Sequence, residues 1–183
     1  MDKVGKRKYV IVDVETTGLS HKQNRIIEIG AIRVENGKIV DRFDSLIHTV
    51  TAIPPFISQF TGITQIEYDN NAIDPSEGFK KFHDYIGKLP FVAHNVYFDF
   101  NFVNSEFVRY GLPIIRAPRL CTLQLARTVF PTLSNYKLTT IKEFLELDYR
   151  SHRGLDDVLV CFEILKRASA LEFDNRTVYP PRI

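Results

Sequence analysis

Apolar positions recur every second residue at the start of the chain and every third or fourth residue further on. Tyr9 to Val14 is apolar and β-branched except for Asp13, which predicts a strand. Side chains alternate along a strand, so Ile11, Asp13 and Glu15 share one face and Val10, Val12 and Val14 the other. A strand apolar on both faces belongs in the middle of a covered sheet. Ser20–Asn24 reads as a polar loop and Arg25–Glu35 as a second strand. Asn36-Gly37 is a hairpin turn, because both residues accept positive φ, and Lys38–Ile47 returns as the third strand.

The period then lengthens. Pro54-Pro55 opens a helix that Gly62 stops, leaving Thr61-Gly62-Ile63-Thr64 as helix exit and loop. Asp74-Pro75-Ser76-Glu77 supplies an N-cap, a proline at the first helical position and a capping-box acid. Phe79, Phe82, Tyr85 and Ile86 form the apolar stripe of that helix, and Gly87 ends it. Phe91-Val92-Ala93 predicts a short buried strand. Asn95 then stands as N-cap of a helix running through Phe98, Phe102 and Phe107 to Gly111. A strand is expected at Leu120–Thr122, with helices at Leu123–Phe130 and Lys137–Leu145. The last helix starts near Gly154, with Leu155, Val158, Leu159, Phe162 and Leu165 on its core face. Strands first, then helices alternating with short strands, point to a mixed-sheet α/β domain. The expected domain is 8–170, with 171–183 a frayed C-terminal tail.

Composition narrows this picture. The chain has 183 residues, enough for one domain with a real core, and a net charge of +2. A protein coating long nucleic acid would be more basic, whereas one gripping a few terminal nucleotides need not be. Cys121 and Cys161 fit neither a disulfide framework, a zinc spacing nor a redox CxxC pair, and read as buried thiols in a reducing compartment. The basic stretch from Lys3 to Lys8 leads into an apolar run that Asp13 and Glu15 cut short, so it is not a signal peptide. No apolar segment approaches the ~20 residues that span a bilayer. A cytoplasmic protein without a membrane partner is expected.

The candidate chemistry lies where acids interrupt apolar surroundings. Asp13 and Glu15 end the first strand, and the turn Thr16-Thr17-Gly18 follows. Two such carboxylates repel each other unless cations neutralise them. The alternative is a strand running into solvent with two surface acids. Asp99 sits among phenylalanines in AHNVYFDFNF, where a helix dipole alone would favour an acid. His152 and Asp157 lie in SHRGLDDV. Asp156 is turned about 100° around the helix from Asp157 and reads as a solvated acid. Singly, each is an ordinary surface group or cap. As a set, they give four carboxylates from three elements, with a histidine beside the last. Oxygen donors suit Mg²⁺ or Mn²⁺ rather than zinc. Two such ions can clamp the attacking and leaving oxygens of a phosphoryl displacement, and a neutral histidine can take the proton of the attacking water.

Three motifs then resemble the DEDD exonucleases of the histidine subtype (DEDDh), in the DnaQ-like group that includes the epsilon proofreading subunit of bacterial replicative polymerase. They are Asp13-Val14-Glu15-Thr16-Thr17-Gly18-Leu19, His94-Asn95-Val96-Tyr97-Phe98-Asp99 and His152-Arg153-Gly154-Leu155-Asp156-Asp157. The stretches RIIEIGAIRV, TGIT and LARTVFPTLSNYKL match as well, so the likeness runs from about Lys8 to about Ala168. One departure is Gly154, where the family usually has alanine. Glycine there is expected to loosen the helix start while leaving the functional side chains in place.

The resemblance implies a ribonuclease H-like α/β sheet of three antiparallel strands followed by parallel ones. It implies two Mg²⁺ or Mn²⁺ ions on Asp13, Glu15, Asp99 and Asp157, with His152 as general base. Thr16, Thr17, Gly18 and Leu19 would line a pocket for the terminal nucleotides, and Leu19 and Phe98 would wedge or stack on bases. Leu19 and Phe98 have a second reading as core or rim residues. Thr61 and Gly62 would lie near the sugar, with His94 and Asn95 behind the site. The implied activity is 3′–5′ hydrolysis of single-stranded DNA, releasing mononucleotides. A DNA polymerase catalytic subunit would be the implied partner. Alternatives are an exoribonuclease of the same family, a phosphatase using the Asp13–Thr17 outline, and a polymerase-associated binding module without catalysis. The setting could be a free-standing enzyme, a piece of a longer polypeptide or a docked proofreader.

Overall fold

A computed structural model describes residues 8–49, 52–148, 152–170 and 178–179. Among these, β1 (Lys8–Thr16), β2 (Ile26–Glu35) and β3 (Lys38–Leu46) are followed by α1 (Pro55–Thr61), α2 (Gln65–Asn71) and α3 (Pro75–Ile86). Then come β4 (Phe91–Ala93), α4 (Tyr97–Arg109), β5 (Arg119–Cys121), α5 (Thr122–Val129), α6 (Leu138–Phe144), α7 (Gly154–Ala170) and β6 (Val178–Tyr179). The sheet order is β3-β2-β1-β4-β5-β6. The first three strands are antiparallel, β1, β4 and β5 are parallel, and β6 returns antiparallel on β5. This is the expected mixed sheet with flanking helices.

The central strand is β1, and its alternation builds both halves of the core. Val10, Val12 and Val14 pack with Phe79, Phe82, Phe100, Phe102 and Phe107 from α3 and α4. Ile11 packs on the other face with Ile32, Val92, Leu125, Val158, Cys161 and Leu165. Each fully buried aliphatic side chain is worth roughly 1.5–3 kcal/mol, so the sheet is held from both sides. Both cysteines are free and buried. Among the described residues no helix is long and apolar enough to cross a membrane.

Two expectations need correction, and one helix was not expected. The helix exit and loop at Thr61–Thr64 are as expected, and the stretch that follows, unassigned from sequence, is helix α2. Thr64 caps it by accepting the Glu67 N–H at 3.1 Å, so the S/T-x-x-E signal lay in the sequence. Asn95 is not a helix cap. It has φ +61°, and Val96 holds the cap position with no side-chain bond. An asparagine tolerates this left-handed turn, which swings the chain from β4 into α4. The predicted frayed tail contains the two-residue strand β6, while 171–177 and 180–183 lie outside the described residues.

Candidate active site

The four acids and the histidine meet over the carboxyl end of β1. Asp13, Glu15, Asp99, His152 and Asp157 all line one cavity of about 730 Å³. Three different elements carry the acids there. Strand alternation aims Asp13 and Glu15 toward the α7 side, as Ile11 confirms by its packing. Asp99, in the first turn of α4, is only 3% exposed and accepts the Val14 N–H through Oδ1 at 3.2 Å. That bond ties the helix to the strand between Asp13 and Glu15. Asp157, in the first turn of α7, is buried and accepts the His152 N–H through Oδ2 at 3.1 Å. His152 itself has φ +61°, an uncommon conformation for a non-glycine residue that clusters at functional sites. One ligand atom each from Glu15, His152 and Asp157 lie within 4.8 Å of one another.

Packing acids this closely changes their chemistry. Burial, followed by the charges of Asp99, Asp157, Glu15 and Glu28, holds the Asp13 carboxyl well above its usual range. Glu15 is pushed up to about 8, first by burial and then by Asp157 and Glu28. Asp99 rises to about 8 by burial, against its backbone hydrogen bonds. Asp157 rises to about 7, again chiefly by burial. Four acids that resist ionisation in one cleft are a set that divalent cations would stabilise as anions. The donors are oxygens, which fits Mg²⁺ or Mn²⁺. The imidazole of His152 moves the other way. Burial and then the charge of Lys142 lower its pKa, favouring the neutral form.

The rest of the cleft separates into wall, turn and background. The turn after β1 is tight, with Thr16 Oγ1 donating to Gly18 O at 2.7 Å. Leu19 stands at its tip 87% exposed, which excludes the core reading. Phe98 lines the cleft half-buried, its ring 4.8 Å from that of Phe102. His94 lines it too, with Nε2 2.7 Å from Tyr136 O and Nδ1 3.1 Å from Thr122 Oγ1. A carbonyl only accepts, so Nε2 carries the proton and Nδ1 accepts from the threonine. Burial lowers the His94 pKa to about 4, which keeps this arrangement neutral. Asn95 borders the same cavity.

Three predicted residues face elsewhere. Thr17 is buried and accepts the Arg25 N–H at 3.0 Å, closing the base of the β1–β2 loop. Thr61 is buried, donates to Ile57 O at 2.9 Å and accepts the Ile63 N–H at 3.2 Å. Gly62 has φ +74° and ends α1 as its left-handed cap. None of the three is among the residues lining the cavity. Their neighbours on α1 are: Phe56, Ile57 and Phe60 form that wall, with Phe56 and Phe60 largely exposed. The Phe60 ring lies 3.8 Å from the His152 ring, centroid to centroid. Sequence reading overlooked these aromatics, although their i, i+4 spacing gave the signal. It also missed Lys137, Leu138 and Thr139, which line the same cavity.

Beneath the cleft, two buried glutamates hold its parts. Glu106 on α4 takes Arg25 Nε at 2.8 Å and Arg109 at 3.1 Å, pinning the β1–β2 loop. Glu28 is the cross-strand partner of Glu15. It receives Arg153 Nε at 3.0 Å and the Gly154 N–H at 2.9 Å. Asp156 lines a separate small pocket with Glu28, Asp44, Glu67 and Arg153, away from the main cleft.

The sheet order and the cleft at the end of its central strand define a ribonuclease H-like α/β protein. The chain belongs to the exonuclease family (RNase T), which it matches over residues 10–165, and within it to the DnaQ-like DEDD group. It is 39% identical over 144 residues to the PolC-type DNA polymerase III of Bacillus cereus, covering 79% of this chain and 10% of that protein. It is 36% identical over 180 residues to the 3′-5′ exonuclease DinG of Bacillus subtilis, covering 93% of this chain and 19% of the relative. The chain thus spans a fifth or less of these two relatives. Among solved structures, exonuclease X in complex with 5′ overhanging duplex DNA superposes with TM-score 0.66 at 25% identity, covering 92% of this chain and 96% of the other. Escherichia coli exonuclease I in complex with a dA16 oligonucleotide shares the fold at TM-score 0.79 and 16% identity, covering 90% and 41% of the two chains.

Proposed function

We propose that the domain is a 3′–5′ exonuclease that hydrolyses the terminal phosphodiester bond of single-stranded DNA and releases nucleoside monophosphates. The observation that carries this reading is the meeting of Asp13, Glu15, Asp99, Asp157 and His152 in one cleft from separate elements. Asp13, Glu15, Asp99 and Asp157 would hold two Mg²⁺ or Mn²⁺ ions. When bound, such ions stabilise charge on the attacking and leaving oxygens. His152, kept neutral, accepts the proton of the attacking water. The exposed Phe56, Phe60 and Leu19, with Phe98, offer apolar faces on which bases of any sequence can stack. Thr16 and Gly18 bring backbone to the same rim.

The DNA preference and docking on a polymerase catalytic subunit draw support from the relative PolC, a DNA polymerase III, and the 3′–5′ polarity from the 3′-5′ exonuclease DinG. A cytoplasmic proofreading or repair role is part of the same proposal. The exoribonuclease alternative shares the same five residues. Digestion of matched 3′-labelled DNA and RNA oligonucleotides, paired and mispaired, with and without Mn²⁺, tests the reading. Metal-dependent loss of 3′ nucleotides, faster on single-stranded DNA, is the expected result. Wild-type rates from an Asp13→Ala variant would overturn the site assignment.

A further inference from the structure

We propose that Arg153, clamped between Glu28 of β2 and Glu67 of α2, is a positioning residue that locks His152 and Asp157 over the cleft. Its kinetic consequences rest on the exonuclease reading above, whereas the lock itself does not. Glu28 is only 1% exposed. A buried carboxylate needs partners for both oxygens, and removing one partner is strongly destabilising. Here both partners come from consecutive residues at the entry to α7: Arg153 Nε meets Oε1 and the Gly154 N–H meets Oε2. Glu28 is therefore turned toward the helix entry and does not line the main cleft.

The other arm of Arg153 reaches a different element. A terminal guanidinium nitrogen donates to Glu67 Oε1 at 3.1 Å. Glu67 is itself fixed, because its N–H is the one capped by Thr64. The planar guanidinium holds its donors in fixed, separate directions toward the two carboxylates, whereas a lysine ammonium is a compact point charge with rotating donors. The adjacent residue needs such restraint. His152 holds a positive φ, a strained conformation for a non-glycine residue that persists only when its surroundings over-determine it. On one side its N–H is bound by Asp157. On the other, the lock ties the next two residues to the sheet and to α2. Through α2 the lock also reaches the chain that follows α1, whose Phe60 lies against the imidazole.

The test uses Arg153→Gln, Glu28→Gln, Glu67→Gln, the Arg153→Gln/Glu28→Gln double variant and Arg153→Lys. Amide hydrogen exchange over residues 152–157 reads the lock directly. Exchange there should speed up tenfold or more in Arg153→Gln and Glu28→Gln while β1 stays protected. The double variant should exchange no faster than the worse single one. In Mn²⁺-dependent cleavage, kcat should fall tenfold or more with KM within twofold, Glu67→Gln should lose less, and Arg153→Lys should recover part of the loss. Should Glu28→Gln fail to fold, the partly exposed Arg153 still allows the measurement. Wild-type exchange at 152–157 in folded Arg153→Gln would overturn the proposal. A raised KM at unchanged kcat would also overturn it, by making the guanidinium a substrate contact. A wild-type protein that cleaves nothing while the exchange pattern holds would sink the exonuclease reading and leave the lock standing.

Discussion

Gly154 lies directly against Gly30, backbone to backbone, where α7 starts across β2. A Cβ on Gly154 would stand 2.6 Å from the Gly30 nitrogen and 3.0 Å from its Cα, with Asp13 O at 3.4 Å. The first turn of α7 therefore owes its closeness to β1 and β2 to two missing side chains. Glycine here is a contact residue, and alanine, usual at this place in the family, would push the helix off the sheet in this chain. Gly154→Ala should destabilise the protein by about 1–3 kcal/mol. Gly30→Ala, which would drive a methyl into the Gly154 backbone, should cost more. Urea unfolding of both variants checks the order. A stable Gly30→Ala protein would contradict the close packing.

The acid cluster sets a pH dependence of stability in the absence of divalent metal. Glu15 and Asp99 have folded pKa values near 8 and Asp157 near 7, all above their unfolded values. The folded state then holds protons that the unfolded chain has released, so these groups destabilise as pH rises from about 4 to about 8. Melting temperature in EDTA should fall across that window, and Mn²⁺ should flatten or reverse the slope. His94 acts in the opposite sense. Its lowered pKa, about 4, makes its contribution present above the unfolded value of about 6.5 and lost as pH falls toward 4. A metal-free melting temperature that climbs between pH 6.5 and 8 would refute the account.

Asp13 joins function to that cost. Asp13→Asn should abolish turnover, yet raise the melting temperature of the metal-free protein at pH 8. Burial and the neighbouring acids hold the Asp13 pKa up, which makes folding around this carboxyl costly where the unfolded chain would ionise it. Cleavage assays and melts in EDTA on the same preparation give both values. Loss of stability together with loss of activity would mark Asp13 as structural.

The β1–β2 loop depends on Glu106, which is fully buried and carries Arg25 and Arg109. It also accepts the Ile26 N–H at 3.2 Å. Glu106→Ala should cost roughly 3–5 kcal/mol, the usual penalty for removing one partner of a buried pair. Chemical denaturation measures it, and a change below 1 kcal/mol would show that the pairing contributes little.

Phe56 tests the aromatic wall without touching the imidazole. Phe56→Ala should raise KM for single-stranded DNA about tenfold, as loss of one stacked base contact of 1–3 kcal/mol would, and leave kcat nearly unchanged. A pure kcat effect would place the wall in the chemistry instead of in binding.

Strand periodicity made most of the fold legible, because alternation in Tyr9–Val14 and the Asn36-Gly37 turn each allowed one outcome. The four acids could be found because each broke an apolar run. Glu28 was harder. It lies in IIEIGAIRV, where one acid among β-branched residues reads as an exposed position, and only tertiary contact shows its carboxylate capping α7. Helix α2 was not read although Thr64 and Glu67 carried its capping signal, because its seven residues offer little apolar periodicity. Thr61 and Gly62 matched a family motif, but what the motif places at the cleft is the face of α1 one turn earlier. Side-chain direction, not residue identity, was the quantity that sequence could not supply.

The Val14–Asp99 bond has one more consequence. One carboxylate oxygen is committed to the amide of the central strand, so Asp99 cannot swing away without giving up that bond and leaving a buried N–H unpaired. The acids at the floor inherit the rigidity of the core beneath them. Helix α1 is short by comparison: it is seven residues long and buries only Ile57 and Thr61. The wall that carries Phe56 and Phe60 therefore rests on less packing than the acids it faces.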